Sequence, residues 1–499
     1  MAHFILLNTY ITNNCAIFVA VITSLREGAQ NIHMYEITRI IDLSRPIGDI
    51  ITDLKDKSVD VPAWSDLKKD YEPKVHKIVD DKIGRRDRVR SDNTIEEASR
   101  IYLGLEKLLT ARITEFMFAI PTKRIYHNLE GNKIRQQIAN AIEMIYKYAR
   151  INSENIRRGN NLFASCEIFT IWYAVKSENS FYGFKSKYKL KCKTYSPMDG
   201  CKLYPLFDEY GDMIAMSIEY SKKEKDKSVV IFETYTAEKH YKWENRGNDY
   251  EQIIGGETIS IFKIPGVYAF RPTPIYDGLT NIRQEIEYTL SRNSDIIAYN
   301  SAPVLKVAGS IQGDEKKGEA RRVYRVENGG DVSYVSWAQS IEALKYHVET
   351  LLNMFWTQSQ MPDVSFENMK SLGNIGFDAR QTLLTDAHLK VGDESGIWNE
   401  FFDREANVIK AFLKEMNKSW ASEIDNVDIE HVITPFIQND EKAEIEKWVT
   451  ASGGKAIMSQ LEAIKNLGLS SNPEETLKQI QSEEASSNMV VNNIFESVQ

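Results

Sequence analysis

The sequence predicts an α+β fold on three observations. Apolar residues recur at helical spacing before about residue 150 and again after residue 274. Between these stretches, short β-branched and aromatic runs alternate with turn residues. A second, smaller β-like segment then interrupts the later helical part. At 499 residues, with 42% hydrophobic and 27% charged, the chain is long enough for two or three packed regions, and its composition excludes a mainly disordered class. The formal charge of -9 argues against a protein that coats nucleic acid nonspecifically, because that requires a basic face.

Taken in order, residues 4–25 carry no acidic or basic side chain, but Asn8, Asn13 and Asn14 interrupt them. The apolar part is shorter than a membrane span, and no Lys or Arg precedes Arg26 as a secretory signal requires. Met34 opens an ordinary amphipathic stretch, so residues 1–33 are read as an upstream extension. From Thr94 to Tyr148 the pattern is helical. Ile101, Leu105, Leu108 and Leu109 form one stripe, Ile134, Ile138, Ile142 and Ile145 another, and Pro121 separates them. From about Leu162 to Phe270, runs at 167–173, 213–220 and 229–235 predict a mostly antiparallel meander. Residues 209–212, 222–227 and 255–256 supply its turns.

The period then switches back. Leu279, Ile282, Ile286 and Leu290 mark one face of a helix over 274–298. Strand-like 304–307, 323–326 and 332–335 follow, and a second helix over 340–355 carries Ile341, Leu344, Val348, Leu351, Leu352 and Phe355. A glycine-containing stretch, 361–376, separates it from a long helix ending near Lys418. The tail from Asp440 is helical and acidic, with ten acidic against five basic residues, and frays near Ser486.

Most enzymatic templates fail. Residues 453–456 (GGKA) lack the spacing and the hydroxyl of a phosphate-binding loop. His347-Val348-Glu349 matches half of a zinc deaminase signature, but no P-C-x-x-C follows it. The eight histidines show no metal-ligand spacing. Cys15, Cys166, Cys192 and Cys201 contain no C-x-x-C pair and suggest idle thiols in a reducing compartment. Cys192 and Cys201 flank a turn and stand as one candidate pair, less favoured than two free thiols. What remains is an arrangement: two amphipathic helices flank a small basic insertion. From Lys306 to Arg325, six basic residues stand against three acidic ones, a local excess that points to an acidic surface or to nucleic acid.

With these pieces in place, the chain resembles the portal proteins of tailed bacteriophages. The resemblance rests on Trp64 with 71–78 (YEPKVHKI), on 104–109 (GLEKLL) through 115–121 (EFMFAIP), and on 274–279 (PIYDGL) opening a long helix. It continues through the insertion, the second helix, 361–364 (MPDV) and 373–379 (GNIGFDA), and ends on 456–459 (AIMS), 471–477 (SNPEETL) and 480–484 (IQSEE). The order of the pieces is specific, and it covers about residues 35–486. Residues 1–33 have no counterpart, and residues 368–372 precede Gly373 where the family's loop tip is expected.

The resemblance implies a wing over 34–272, a first stem helix over 273–298, a small α/β clip over 299–339 and a second stem helix over 340–360. It further implies a tunnel loop over 361–377, a long wing helix with its return over 378–437, a helical crown over 438–486 and a flexible tail over 487–499. The implied assembly is a homo-oligomeric ring, usually a dodecamer, at one capsid vertex of the virion, put together in the host cytoplasm. Double-stranded DNA would be packaged and ejected through it. The implied partners are the terminase large subunit, the major capsid and scaffolding proteins, and a head-completion adaptor. No membrane, cofactor, metal or catalytic residue is implied, and ATP hydrolysis would belong to the terminase. Asn368, Lys370, Ser371 and Asn374 would contact DNA from the tunnel loop. Lys316, Lys317, Arg321, Arg322 and Arg325 would meet docking partners from the clip. Leu279, Ile282, Ile286, Leu290, Leu344, Val348 and Leu351 would pack the stem.

Elementary electrostatics agrees with that expectation. A channel that passes duplex DNA both ways must not grip phosphates, because each neutralised phosphate adds affinity. A net-acidic ring with few lining cations lets DNA slide. The competing class is a metal-dependent nuclease, although nothing singles out its carboxylates.

Overall fold

The computed structural model describes residues 40–56, 58–224, 227–247, 249–300, 304–308, 311–312, 325–326, 331–335, 341–363, 382, 384–436, 441–453, 456–468, 470 and 472–496. They fall into two units. The first holds the described residues up to Asp363 with Asp386–Phe436, and the second holds those of Val364–Thr385 and Ile437–Gln499. The upstream extension over 1–33 lies outside the described residues.

In the first unit, two short helices, α1 (Ile47–Leu54) and α2 (Trp64–Tyr71), lead to a small hairpin, β1 (Arg88–Val89) with β2 (Ile95–Glu96). Helix α3 (Leu105–Phe118), strand β3 (Lys123–His127), and helices α4 (Lys133–Ala149) and α5 (Ile151–Ser165) follow. The region read as helical from 94 to 148 therefore contains two strands, and Ile101 lies in extended chain rather than on a helix. The physical reason is distant pairing. β3 is held antiparallel by a strand some 300 residues away, with Tyr126 opposite Ile429. No local period reports such a partner. Helix α4 starts where Asn132 caps it, accepting from the Ile134 and Arg135 N–H groups.

The β-rich part comprises β4 (Glu167–Asn179), β5 (Ser186–Tyr195), β6 (Lys202–Phe207), β7 (Met213–Glu224), β8 (Lys227–Thr236), β9 (Lys239–Asn245), β10 (Tyr250–Thr258) and β11 (Gly266–Phe270). The strands β6 to β10 form an antiparallel meander in sequence order, as the alternation predicts. β11, β4 and β5 form a separate three-stranded sheet with β4 in the middle. Gly255 and Gly256 are not a turn. They sit inside β10 at shifts of register, and Gly256 takes φ +104°, a bulge conformation that glycine permits. One face of the meander (Met216, Ile218, Leu203) packs with Phe169, Ile171 and Tyr268 of the smaller sheet. The other face (Phe232, Tyr241, Trp243) buries Ile50, Ile51 and Leu54 of α1.

Helix α6 (Thr280–Asn300) begins six residues later than the apolar pattern suggests, because residues 275–279 form turns and Gly278 takes φ +77°. The insertion shows nested antiparallel pairs among its described residues. β12 (Val304–Ala308) pairs with β15 (Asp331–Val335), and β13 (Ile311–Gln312) pairs with β14 (Arg325–Val326). Helix α7 (Ile341–Gln358) returns, α8 (Thr385–Met416) follows, and β16 (Asp428–Val432) closes on β3. The second unit contributes α9 (Glu441–Ser452), α10 (Gln460–Leu467) and α11 (Pro473–Glu496). A capping box of Ser459 with Glu462 starts α10, and α11 runs on past residue 486 to Glu496. Among the described residues no helix is long and apolar enough to cross a membrane.

Helix α8 is tied to the small sheet by a buried ion pair. Arg158 of α5 donates to Glu405 at 2.6 Å, with both side chains essentially inaccessible. Trp172 Nε1 donates to the same carboxylate at 2.9 Å, and Asn155 Oδ1 accepts from Arg158 at 2.9 Å. Burial pushes the Arg158 guanidinium toward its neutral form, but Glu405 outweighs it and raises the pKa. Glu405→Ala strands that cation, and the expected loss is about 3–5 kcal/mol. Urea unfolding of the purified variant reads this directly, and Arg158→Met with Glu405→Leu should recover a large part of the loss.

Candidate functional site

The arrangement singled out in the sequence is the helix pair around the insertion, so the residues that seat these helices define the site. Helix α6 carries a column at four-residue steps: Leu279 just before it, then Arg283, Glu287, Ser291 and Asp295. Leu279, Arg283, Glu287 and Ser291 are buried. The Arg283 guanidinium donates from Nε to Glu106 at 2.8 Å, from Nη1 to Glu287 at 2.9 Å and from Nη2 to Asp70 at 3.1 Å. Those carboxylates come from α3, α6 itself and α2, so a single side chain gathers three helices. His76 completes the cluster. Its Nδ1 lies 2.7 Å from Glu287 Oε1, and its Nε2 lies 2.9 Å from the Asp70 carbonyl.

The same column holds an extended strap, residues 99–103. Glu287 accepts from the Leu103 N–H at 2.8 Å, Ser291 Oγ from the Ile101 N–H at 2.8 Å, and Asp295 from the Ser99 N–H at 2.8 Å. Four helical residues advance about 6 Å, and two extended residues advance about 6.6 Å. That near-equality lets every fourth side chain of α6 meet every second N–H of the strap. Asp295 also pairs with Arg85, which anchors the chain leading into the β1–β2 hairpin.

Charge balance inside the cluster follows from these contacts. Burial pushes the Glu287 carboxyl up, but His76, the Leu103 N–H and Arg283 outweigh it and hold it below the ordinary carboxylate range. Glu106 moves the other way: burial raises it despite Arg283, and its Oε2 has no hydrogen-bond partner. Asp295 is lowered because Ser99 and Arg85 outweigh its burial.

Helix α7 packs beside α6, and His347 lies 3.9 Å from Glu285. Its far end is seated by Phe355 and Trp356, both buried. Arg112 of α3 stacks 4.1 Å over the Trp356 ring and donates to the Pro362 carbonyl at 3.1 Å and to Asp363 at 3.3 Å. The base of the 361–377 segment is thereby clamped to α3 up to Asp363.

Of the expected stem residues, Leu279 and Ile286 are buried within the protomer itself, while Ile282, Leu290, Leu344, Val348 and Leu351 are half-buried. Tyr288 and Tyr346, missed by the apolar count, are 49% and 73% exposed on the same two helices. Arg325 pairs through its backbone with Gln312. Lys316, Lys317, Arg321 and Arg322 lie outside the described residues, as do Asn368, Lys370, Ser371 and Asn374. The polar column was also missed. Its signal is Arg-x-x-x-Glu-x-x-x-Ser-x-x-x-Asp beside the apolar stripe, a pattern normally read as a solvated helix face. No disulfide joins Cys192 and Cys201, and burial pushes the Cys166 and Cys192 thiols up to about 12, which leaves them unreactive. Among the described residues, no group of three or more His, Cys, Asp or Glu side chains is placed to hold a metal ion.

The family described as phage portal protein, SPP1 Gp6-like, matches residues 53–489, a span that contains both helices, the insertion and the long helix α8. The chain belongs to that family. Among solved structures, this portal-family chain is similar to one from the neck of an empty GTA particle computed with C6 symmetry. The identity is 12%, the TM-score is 0.36, and the match covers 73% of this chain and 89% of that one. No curated protein matches it. The mixed helix and sheet content agrees with the α+β class expected of a portal protein.

The lowered carboxyl of Glu287 carries a pH dependence for this portal-family chain. A depressed folded pKa stabilises fully above the ordinary glutamate value of about 4.3 and loses that contribution as pH falls through the folded value. Glu287→Gln should be less stable near neutral pH by about 1.5–3 kcal/mol and should soften the acid-side decline. Urea midpoints measured across a pH series check both outcomes.

Proposed function

We propose that this chain assembles as the ring at one capsid vertex through which double-stranded viral DNA enters and leaves. The observation that carries the reading is the family match over residues 53–489. In this reading α6 and α7 form the stem, the β12–β15 insertion is the clip, and residues 361–377 reach toward DNA with Asn368, Lys370, Ser371 and Asn374. The β-rich part with α8 forms the wing, and α9 to α11 form the crown. The ring is a dodecamer. Its partners are the terminase large subunit, the major capsid and scaffolding proteins, and a head-completion adaptor. The role is mechanical, and nucleotide hydrolysis belongs to the terminase.

Two features of the helix pair support a role in assembly. The inner column of α6 is used up within the protomer, which leaves Tyr288, Tyr346 and the half-buried apolar residues as an outer surface for neighbouring copies. Exposed aromatic and apolar side chains of this kind favour association between identical chains. Arg112 and Arg283, the arginines that seat the two helices, are also matched by carboxylates within the protomer, so neither is free to grip passing phosphates.

Negative-stain microscopy of the purified full-length protein tests the reading. Rings with a central opening and no nucleotide turnover are expected. Solitary protomers with metal-dependent DNA cleavage would overturn it. Replacing Lys316, Lys317, Arg321 and Arg322 with Glu should leave rings intact and impair motor docking, measured as packaged DNA per particle. Unchanged packaging would sink the clip assignment.

A further inference from the structure

Strand β5 is a free edge of the three-stranded sheet. Lys187, Lys189, Lys191 and Lys193 occupy every second position along it, so all four leave the strand on one face. Three of them stand opposite Val175, Tyr173 and Ile171 of β4, which fixes their register. Lys187, Lys191 and Lys193 are exposed, Lys189 is half-buried, and exposed Lys185 precedes them. Among the described residues no carboxylate lies within ion-pairing distance of these five ammonium groups. Their nearest partners are neutral rings: Lys189 Nζ lies 5.3 Å from the Tyr148 ring, and Lys193 Nζ lies 4.2 Å from that of Tyr195. Five uncompensated cations in one short segment stand out in a chain of net charge -9.

A single lysine is enough to discourage edge-to-edge pairing of strands. Four in register do more than that. Alternate residues of an antiparallel strand lie about 6.8 Å apart, so the row from Lys187 to Lys193 is about 20 Å long. One strand of duplex DNA presents a phosphate about every 3.4 Å along the axis. Because the backbone winds around that axis, its successive phosphates are about 6–7 Å apart through space, close to the lysine step, and the flexible lysine stems let the row follow the curve over about four of them. Lysine suits this contact, because its ammonium is a hydrated point charge that takes a phosphate in any orientation. An acidic protein face is matched better by the planar fork of arginine, which takes a carboxylate with two parallel hydrogen bonds.

We propose that the lysine face of β5 binds the phosphate backbone of duplex DNA without reading its sequence. The four lysines lie on a strand that is neither α6 nor α7, and the inference does not rest on the channel reading. Ring formation and DNA affinity are measured separately, so either can fail without the other.

The test uses full-length protein and a short, mixed-sequence, fluorescein-labelled duplex. Affinity is measured by anisotropy across a salt series. Engaging four phosphates contributes about -3.6 to the slope of log affinity against log salt, which is roughly a hundredfold weakening between about 50 and 200 mM. Changing Lys187, Lys189, Lys191 and Lys193 together to Gln should weaken low-salt binding by that order and flatten the slope by three to four. The corresponding Arg variant should retain both. If the Gln variant aggregates through its uncharged edge, the Glu variant keeps a charged edge and should bind no duplex at all. Unchanged affinity and slope in the Gln and Glu variants would overturn the proposal. So would intact DNA binding together with lost attachment to the capsid shell protein, since that assigns the row to an acidic protein face.

Discussion

Arg283 sits in the interior of an acidic chain, and the fold around it is the answer to one requirement: its charge must be matched on every side. Stripping water from a guanidinium costs several kcal/mol, and only good geometry with carboxylates offsets that cost. Glu106, Glu287 and Asp70 supply the geometry, and each belongs to a different helix. The positions of α2, α3 and α6 are thus linked through one side chain. His76 and the strap at 99–103 then close around Glu287. Everything that surrounds the start of α6 is set by where this cation is.

The same device recurs at larger scale. Arg158 with Glu405 joins α5 to α8, Arg112 joins α3 to the end of α7, and Arg124 joins β3 to Glu143 of α4. In each case arginine pairs with a carboxylate and also lies over an aromatic ring: Phe401, Trp356 and Tyr146 respectively. Removing the carboxylate of such a pair leaves a largely buried guanidinium without its counter-charge. These contacts therefore specify which elements are neighbours, while apolar clusters such as those around Phe169 and Phe232 supply non-directional burial.

The sequence made the β meander legible because each of its strands pairs with the next, and alternation with turns reports such pairing. Helices with one apolar stripe were legible for the same local reason. β3 was not, since its partner is β16 near the far end of the unit. The polar column of α6 was not, because burial of Arg283 depends on carboxylates contributed by residues 70 and 106, which no helical period connects to it. The lysines of β5 alternate in plain view, but only the register with β4 shows them to be an unpartnered row on a sheet edge. Family resemblance was carried by ordered motifs, so it survived these local errors.

The match of step between α6 and the strap has a mechanical corollary. A helix displaced by one residue along its axis also turns by about 100°, which swings Glu287, Ser291 and Asp295 away from their N–H partners together. The joint has no intermediate stop, so it behaves as a toothed rack. Glu287, Ser291 and Asp295 thereby hold the strap that follows the β1–β2 hairpin in a single register with α6.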